Sequence, residues 1–255
     1  MYRFFVDPED ITGSRIELKK DDCPHISRSL RLKPGARIIA AVSSPGADEY
    51  IVELKKISKE RVTGEIVETR QSRSEPQIKL HLAQAVPKNS NMEFVVRRCT
   101  EIGVGRIIPM LTERTVVKLS EKKAGKKIDR WQRIARAAAK QSQRGMIPEI
   151  TEVSAPEKLA ASFDDYQLIL LPWTGENSQS LKEVLENYRQ KEKNMLPRVL
   201  VLIGPEGGFT PDEVKFFSDE HSAQSVSLGP RILRTETAGL AVMTAVLYEF
   251  GELGP

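Results

Sequence analysis

The chain has 255 residues, 39 of them Lys or Arg and 35 Asp or Glu, for a formal charge of +4, and 40% are hydrophobic. That is enough apolar material for one or two buried cores and too much for a disordered chain, and it excludes collagen-like, coiled-coil and mucin-like compositions. The longest uncharged apolar-rich stretch, residues 238–248, is about half of the roughly 20 residues that a membrane-spanning helix needs.

MYRFFVDPED reaches acidic residues before an apolar signal region develops, so no secretory signal is expected and the expected location is cytoplasmic. From the N-terminus to about residue 70 the pattern predicts short strands at 2–6, 15–18, 37–42, 50–57 and 62–67. Turns at Thr12-Gly13, Pro34-Gly35 and Pro45-Gly46 separate them. Such spacing predicts a small β barrel, with a short helix over 27–33 presenting Arg28, Arg31 and Lys33 to RNA. The polar segment 71–77 marks the expected domain boundary. Beyond it, strands at 78–86, 106–110, 168–171 and 199–203 alternate with helices at 91–102, 129–143 and 181–188, which predicts a mainly parallel sheet covered by helices. In the long helix Trp131, Ile134, Ala135, Ala138 and Ala139 are expected to face inward. Cys23 and Cys99 stand far apart and His25, His81 and His221 are scattered, so neither a disulfide framework nor a metal site is expected.

Charge is polarised along the chain: +1 over residues 1–75, +10 over 76–150 and −7 over 151–255. The basic middle contains Arg97, Arg98, Lys118, Lys122, Lys123, Lys126, Lys127, Arg130, Arg133, Arg136, Lys140 and Arg144. Its shortage of carboxylates suits binding to a phosphate backbone, against the alternative of a solvated helix face.

Two segments carry the chemistry. The strand at 199–203 runs into Gly204-Pro205-Glu206-Gly207-Gly208-Phe209 and then Thr210-Pro211-Asp212-Glu213, a helix start with Thr210 as N-cap and Glu213 completing a capping box. A glycine loop between a strand end and a helix is where open α/β sheets bind ligands, although a tight turn would read the same way. The second segment is Ser227-Leu228-Gly229-Pro230-Arg231-Ile232-Leu233-Arg234-Thr235-Glu236-Thr237-Ala238. Its density of charge next to an alanine-rich helix implies either a ligand or Arg–Glu pairing.

Together, GPEGGF and SLGPRILRTETA resemble the signature of SPOUT-class RNA methyltransferases of the ribosomal small-subunit methyltransferase E type, which make N3-methyluridine in 16S ribosomal RNA. The resemblance extends to RFFV, LRLKPG, Cys99-Thr100-Glu101-Ile102-Gly103-Val104, Thr112-Glu113-Arg114, Arg130-Trp131 and Gln141-Ser142 with Arg144. It implies an α/β protein with a PUA-like β barrel over residues 1–72 and a SPOUT domain with a deep trefoil knot over 73–255. It implies S-adenosylmethionine as cofactor, held at Leu171, at Ile203, Gly204, Glu206 and Gly207, and at Leu228, Gly229, Ile232, Leu233 and Thr235. A homodimer acting on 16S ribosomal RNA or the small subunit is implied, without metal or membrane. Expected RNA contacts are Arg28, Arg31, Lys33, Arg97, Arg114, Arg133 and Arg144.

Methyl transfer is an in-line displacement, and uridine N3 becomes a good nucleophile only as its proton leaves. Arg231 and Arg234 are the expected catalytic groups, stabilising the developing uridine anion or binding an adjacent phosphate, while Glu206 and Glu236 are either proton acceptors or structural carboxylates. A 2′-O-ribose methyltransferase and a non-enzymatic RNA-binding assembly factor remain as alternatives.

Overall fold

The apolar alternation of the first 75 residues becomes a six-stranded mixed sheet. Its strands are β1 (Arg3–Val6), β2 (Ile11–Thr12), β3 (Arg15–Leu18), β4 (Arg37–Val42), β5 (Asp48–Ile57) and β6 (Val62–Gln71), in the order β1-β4-β5-β6-β3-β2. The computed structural model describes every residue except Pro45, Ala47, Lys193, Asn194 and Pro255, so the Pro45 half of the expected turn lies outside the described residues. β1 pairs parallel with β4 and the other neighbours pair antiparallel. RFFV does not alternate because β1 is buried on both sides. Phe4 and Val6 join Ile16, Leu18, Ile26, Ile38 and Leu54, whereas Phe5 packs with Ala41 and Ala139.

The expected helix at 27–33 is corrected to one π-helical turn, His25–Ser29. Its closing bond reaches back five residues, from Leu30 N–H to His25 O, and the next runs from Leu32 N–H to Ile26 O. Arg31 then takes a left-handed φ of 51°, and Pro34 disfavours helical backbone at Lys33. Arg28, Arg31 and Lys33 are all exposed, on a turn and loop rather than on one helix face.

A second, wholly parallel sheet consists of β7 (Lys79–Ala85), β8 (Arg106–Met110), β9 (Glu149–Ile150), β10 (Leu168–Pro172), β11 (Arg198–Ile203) and β12 (Gln224–Val226), in the order β12-β10-β11-β7-β8-β9. Strand β11 reads VLVLI without alternation because Val199 to Ile203 are all buried. The helices are α1 (Asn91–Glu101), α2 (Glu121–Gln141), α3 (Pro156–Ala160), α4 (Leu181–Lys191), α5 (Pro211–Lys215) and α6 (Thr235–Glu249). Helix α2 begins eight residues before the expected start at 129. The Lys-rich stretch reads as a charged loop, yet Glu, Lys and Ala are good helix formers and Glu121 suits the positive end of the helix dipole. Trp131, Ala135, Ala138 and Ala139 are buried, and Ile134 is half-buried.

By contacts the chain divides into two units, Met1–Glu75 with Ala137–Ile147, and Pro76–Arg136 with the chain from Pro148 on. Within the first, Arg144 is only 2% exposed and its Nη2 donates to Glu75 Oε2 at 2.5 Å. Glu75 Oε1 also accepts the amides of Gly145 (2.9 Å) and Met146 (3.2 Å). Arg144 therefore does not present its guanidinium as the expected RNA contact; it is a buried structural cation. Glu75→Ala removes the carboxylate this cation faces and is expected to lower stability by roughly 3 kcal/mol in urea unfolding.

Candidate active site

A cavity of about 780 Å³ opens where β10, β11 and β12 end. Its walls come from Lys88 and Asn89 after β7 with Asn91 at the start of α1, from Pro172 at the end of β10 with Trp173, Thr174, Glu176 and Asn177 beyond it, from Ile203 and the glycine loop 204–209, and from residues 227–236 with Ala238. The two signature segments, separated in sequence by α5 and β12, thus meet in one hollow.

The glycine loop takes its shape from its own crowding and from outside ties. A Cβ on Gly204 would lie 3.1 Å from Phe209 N and 3.2 Å from Gly208 C, so any side chain there would press on the loop that folds back over it. Gly208 has a φ of +68°, the left-handed region that glycine enters without strain. Thr210 caps α5, and Glu213 Oε2 returns to the Thr210 amide at 2.9 Å, completing the expected capping box. Glu213 Oε1 accepts the Glu113 amide (2.8 Å). The neighbouring Arg114 donates to Gly207 O (2.9 Å), and Glu206 accepts the Lys88 amide (2.8 Å). From the other side the Thr235 hydroxyl donates to Gly204 O at 2.6 Å.

The wall after β10 carries a fixed negative charge. Glu176 Oε1 accepts the Ser178 hydroxyl (2.6 Å), the Ser178 amide (2.7 Å) and the Gln179 amide (3.2 Å). The Ser178 hydroxyl and amide, in that order, hold its carboxyl down to about 2, so it is ionised at neutral pH and a poor proton acceptor. Opposite in sign, Arg231 and Arg234 are exposed on the 228–235 segment, and among the described residues neither has a carboxylate ion-pair partner. The Arg–Glu pairing reading of this segment therefore has no support in the geometry. Glu236 is half-buried at the start of α6 and also lines the cavity.

Most of the expected cofactor residues line this hollow: Ile203, Gly204, Glu206, Gly207, Leu228, Gly229, Ile232, Leu233 and Thr235. Leu171 does not. It is fully buried in β10, which runs one residue further than expected, and Pro172 and Trp173 reach the wall instead. Ile232 is 85% exposed at the rim. Arg97 and Arg133 are exposed on α1 and α2, and Arg114 is exposed but occupied with the loop carbonyls. The missed wall residues had a signal available: Pro87–Asn91 and Pro172–Asn177 are polar, turn-forming segments that come after apolar strands, as the glycine loop does. Among the described residues no cluster of three or more His, Cys, Asp or Glu is arranged to hold a metal ion, and no helix is long and apolar enough to cross a membrane.

Residues 73–247 match the RNA methyltransferase domain family. The chain is 32% identical to the ribosomal RNA small subunit methyltransferase E of Bacillus subtilis over 258 aligned positions, covering 98% of this chain and 97% of that protein. It is 34% identical to the Synechocystis protein of the same name, covering 96% of this chain and 78% of that one. Among solved structures, the ribosomal RNA small subunit methyltransferase E of Neisseria gonorrhoeae, bound to S-adenosyl methionine, superposes with a TM-score of 0.80 at 26% identity, covering 97% of each chain. A methyltransferase of Legionella pneumophila in complex with the same cofactor superposes with a TM-score of 0.82 at 28% identity, again over 97% of each. With similarity running through both sheets and through the segments that wall the cavity, the chain belongs to the ribosomal RNA small subunit methyltransferase E family.

Proposed function

We propose that this protein transfers a methyl group from S-adenosylmethionine to N3 of a specific uridine in 16S ribosomal RNA. The carrying observation is the cavity at the carboxyl ends of β10, β11 and β12, where GPEGGF and SLGPRILRTETA meet in a chain of this methyltransferase family. Its volume of about 780 Å³ lies within the roughly 300–1,000 Å³ usual for small-ligand sites. The donor set also fits the cofactor. Among lining residues 204–207 and 228–235, Gly204, Gly207 and Gly229 have no side chain to screen their backbone from a ligand, and the ionised Glu176 suits a cationic one.

S-adenosylmethionine supplies an electrophilic methyl group on a sulfonium centre. The protein's part is alignment and charge. Ile203, Gly204, Glu206, Gly207, Leu228, Gly229, Ile232, Leu233 and Thr235 hold the cofactor, with Pro172 in the place expected of Leu171. Arg231 and Arg234, without carboxylate partners among the described residues, stabilise the uridine anion that forms as N3 loses its proton. Glu206 is engaged by the Lys88 amide, which supports a structural role for it and leaves Glu236 as the cavity carboxylate free for proton transfer.

The family reading extends to the rest of the chain. Residues 1–72 form a PUA-like barrel that binds RNA through Arg28, Arg31 and Lys33, and the register shifts in the β5–β6 ladder support the coiling a barrel needs. Residues 73–255 form the methyltransferase domain, in which Arg97, Arg114 and Arg133 add RNA contacts. The deep knot is supported by the ties between residues 179–181 and Ser227, where the chain leaves β12: Ser227 N–H donates to Gln179 O (2.8 Å) and Leu181 N–H to Ser227 O (3.2 Å). A homodimer is supported by α6, an apolar helix with Tyr248 76% exposed, beside α1 with Phe94 43% exposed. The ribosomal substrate makes the site of action cytoplasmic.

Unmodified small subunits incubated with the protein and isotopically labelled S-adenosylmethionine are expected to yield labelled N3-methyluridine by nucleoside mass spectrometry. A 2′-O-methylated nucleoside, or no labelled nucleoside despite RNA binding, would overturn the reading. Arg231→Ala and Arg234→Ala are each expected to lower kcat by about 100-fold while cofactor affinity stays within a few-fold. Gly204→Ala, which presses on Gly208 and Phe209, is expected to weaken cofactor binding in calorimetry by roughly tenfold.

A further inference from the structure

Beneath the cavity floor lies a polar group with no direct part in methyl transfer. Gln84 sits in β7, paired with Ile203 of β11 on one side and Pro109 of β8 on the other, and it is fully buried. Its Nε2 donates to Thr235 Oγ1 at 2.9 Å and to Ala85 O at 3.1 Å. A carbonyl only accepts, so the bond to Ala85 O identifies the nitrogen end of the amide. Its Oε1 is buried with no hydrogen-bond donor among the described residues. For stability alone this is a poor choice, because a buried amide oxygen without a donor has lost its hydration for nothing in return. An apolar side chain of the same size would fill the space without that penalty.

What the amide does is fix a hydroxyl. Thr235 Oγ1 has one proton to give. With Gln84 Nε2 occupying an acceptor position of the same oxygen, that proton is directed to Gly204 O, 2.6 Å away. One oxygen thereby ties β7 to two cavity-lining residues, the first of α6 and the first of the glycine loop. Thr235 and Gly204 both line the hollow, and Gln84 does not.

We propose that Gln84 is a positioning residue for cofactor binding, acting through Thr235 to hold the Gly204 carbonyl and with it the backbone of the glycine loop. The proposal rests on the cofactor-binding reading of this cavity. Gln84 stays out of contact with the ligand and determines the starting geometry of the loop that meets it.

The test is S-adenosylmethionine titration by calorimetry, with steady-state kinetics and thermal unfolding, on the full chain and on Gln84→Met, Thr235→Val, Thr235→Ser and the Gln84→Met/Thr235→Val double variant. Gln84→Met is expected to raise the cofactor Kd and KM about tenfold, with kcat at saturating cofactor within about twofold and an unfolding midpoint equal to or above that of the parent. Thr235→Ser, which keeps the hydroxyl, is expected to recover most of the affinity that Thr235→Val loses. The double variant is expected to bind no worse than Thr235→Val alone, because both changes break one relay. An unchanged Kd in Gln84→Met, a lowered midpoint with unchanged Kd, or additive losses in the double variant would each overturn the assignment. Should Gln84→Met fail to fold, equal affinity in Thr235→Val and the parent overturns it as well. Parent protein that binds no S-adenosylmethionine would refute the cofactor reading itself, an outcome separable from all the others.

Discussion

A parallel sheet leaves the backbone groups at its carboxyl edge to be satisfied by the segment that leaves each strand. After β11 that segment is Gly204–Phe209, six residues of which three are glycine and one proline. It has few side chains with which to set its own shape, so the shape comes from elsewhere. Glu206 reaches the Lys88 amide, Glu213 the Glu113 amide, Arg114 the Gly207 carbonyl and Thr235 the Gly204 carbonyl, ties that join positions 118, 100, 93 and 31 residues apart. The loop is therefore a product of tertiary structure, and the cavity it walls exists only when β7, β8, β11 and α6 are in place.

The same ties decide what the acidic side chains near the cavity can do. Glu206 and Glu213 accept backbone amides of neighbouring segments, and Glu176 closes its own turn with a carboxyl held at about 2. Carboxylates committed in this way act as anchors for the segments around the cavity. Arg231 and Arg234 also line the hollow, and among the described residues neither guanidinium has a carboxylate ion-pair partner. On the proposed chemistry this favours catalysis by stabilising the uridine anion over catalysis by a strong base. A cation beside N3 lowers the proton affinity of the site that must lose its proton, so a modest acceptor suffices.

Local rules made part of this visible in the sequence. Thr210-Pro211-Asp212-Glu213 reads as a capped helix start because capping is settled within four residues, and VLVLI reads as a buried strand because its composition leaves little else. Features set by distant partners were not legible. Arg144 resembles its basic neighbours until Glu75, 69 residues away, is seen to bury it. The π-helical turn at His25–Ser29 depends on one bond of unusual length, and no composition signals it. Helix α2 starts early because a run of lysines is as compatible with helix as with loop. Gln84 looks like a stray polar residue in HLAQAV, and it acquires meaning only from Thr235, 151 residues later.

Among the described residues, hollows at opposite ends of the parallel sheet differ in chemistry. At the amino ends, a cavity of about 440 Å³ is lined by residues including Lys79, Asp164, Asp165 and Arg198. Nearby His81, bonded to the Tyr166 hydroxyl at 2.9 Å, is pushed down to about 4 by burial and then by Arg106, Arg198 and Lys79, so it is neutral at physiological pH. That end offers side-chain charge of both signs, and its described lining residues include no glycine. The carboxyl end offers a glycine loop, a helix start at Thr235 and two guanidiniums without carboxylate partners among the described residues, converging on a larger space. A cofactor to be held in one fixed orientation needs fixed backbone donors and acceptors more than it needs flexible surface charge, since groups already in place lose little freedom on binding. By that criterion the carboxyl-end cavity is the one suited to methyl transfer.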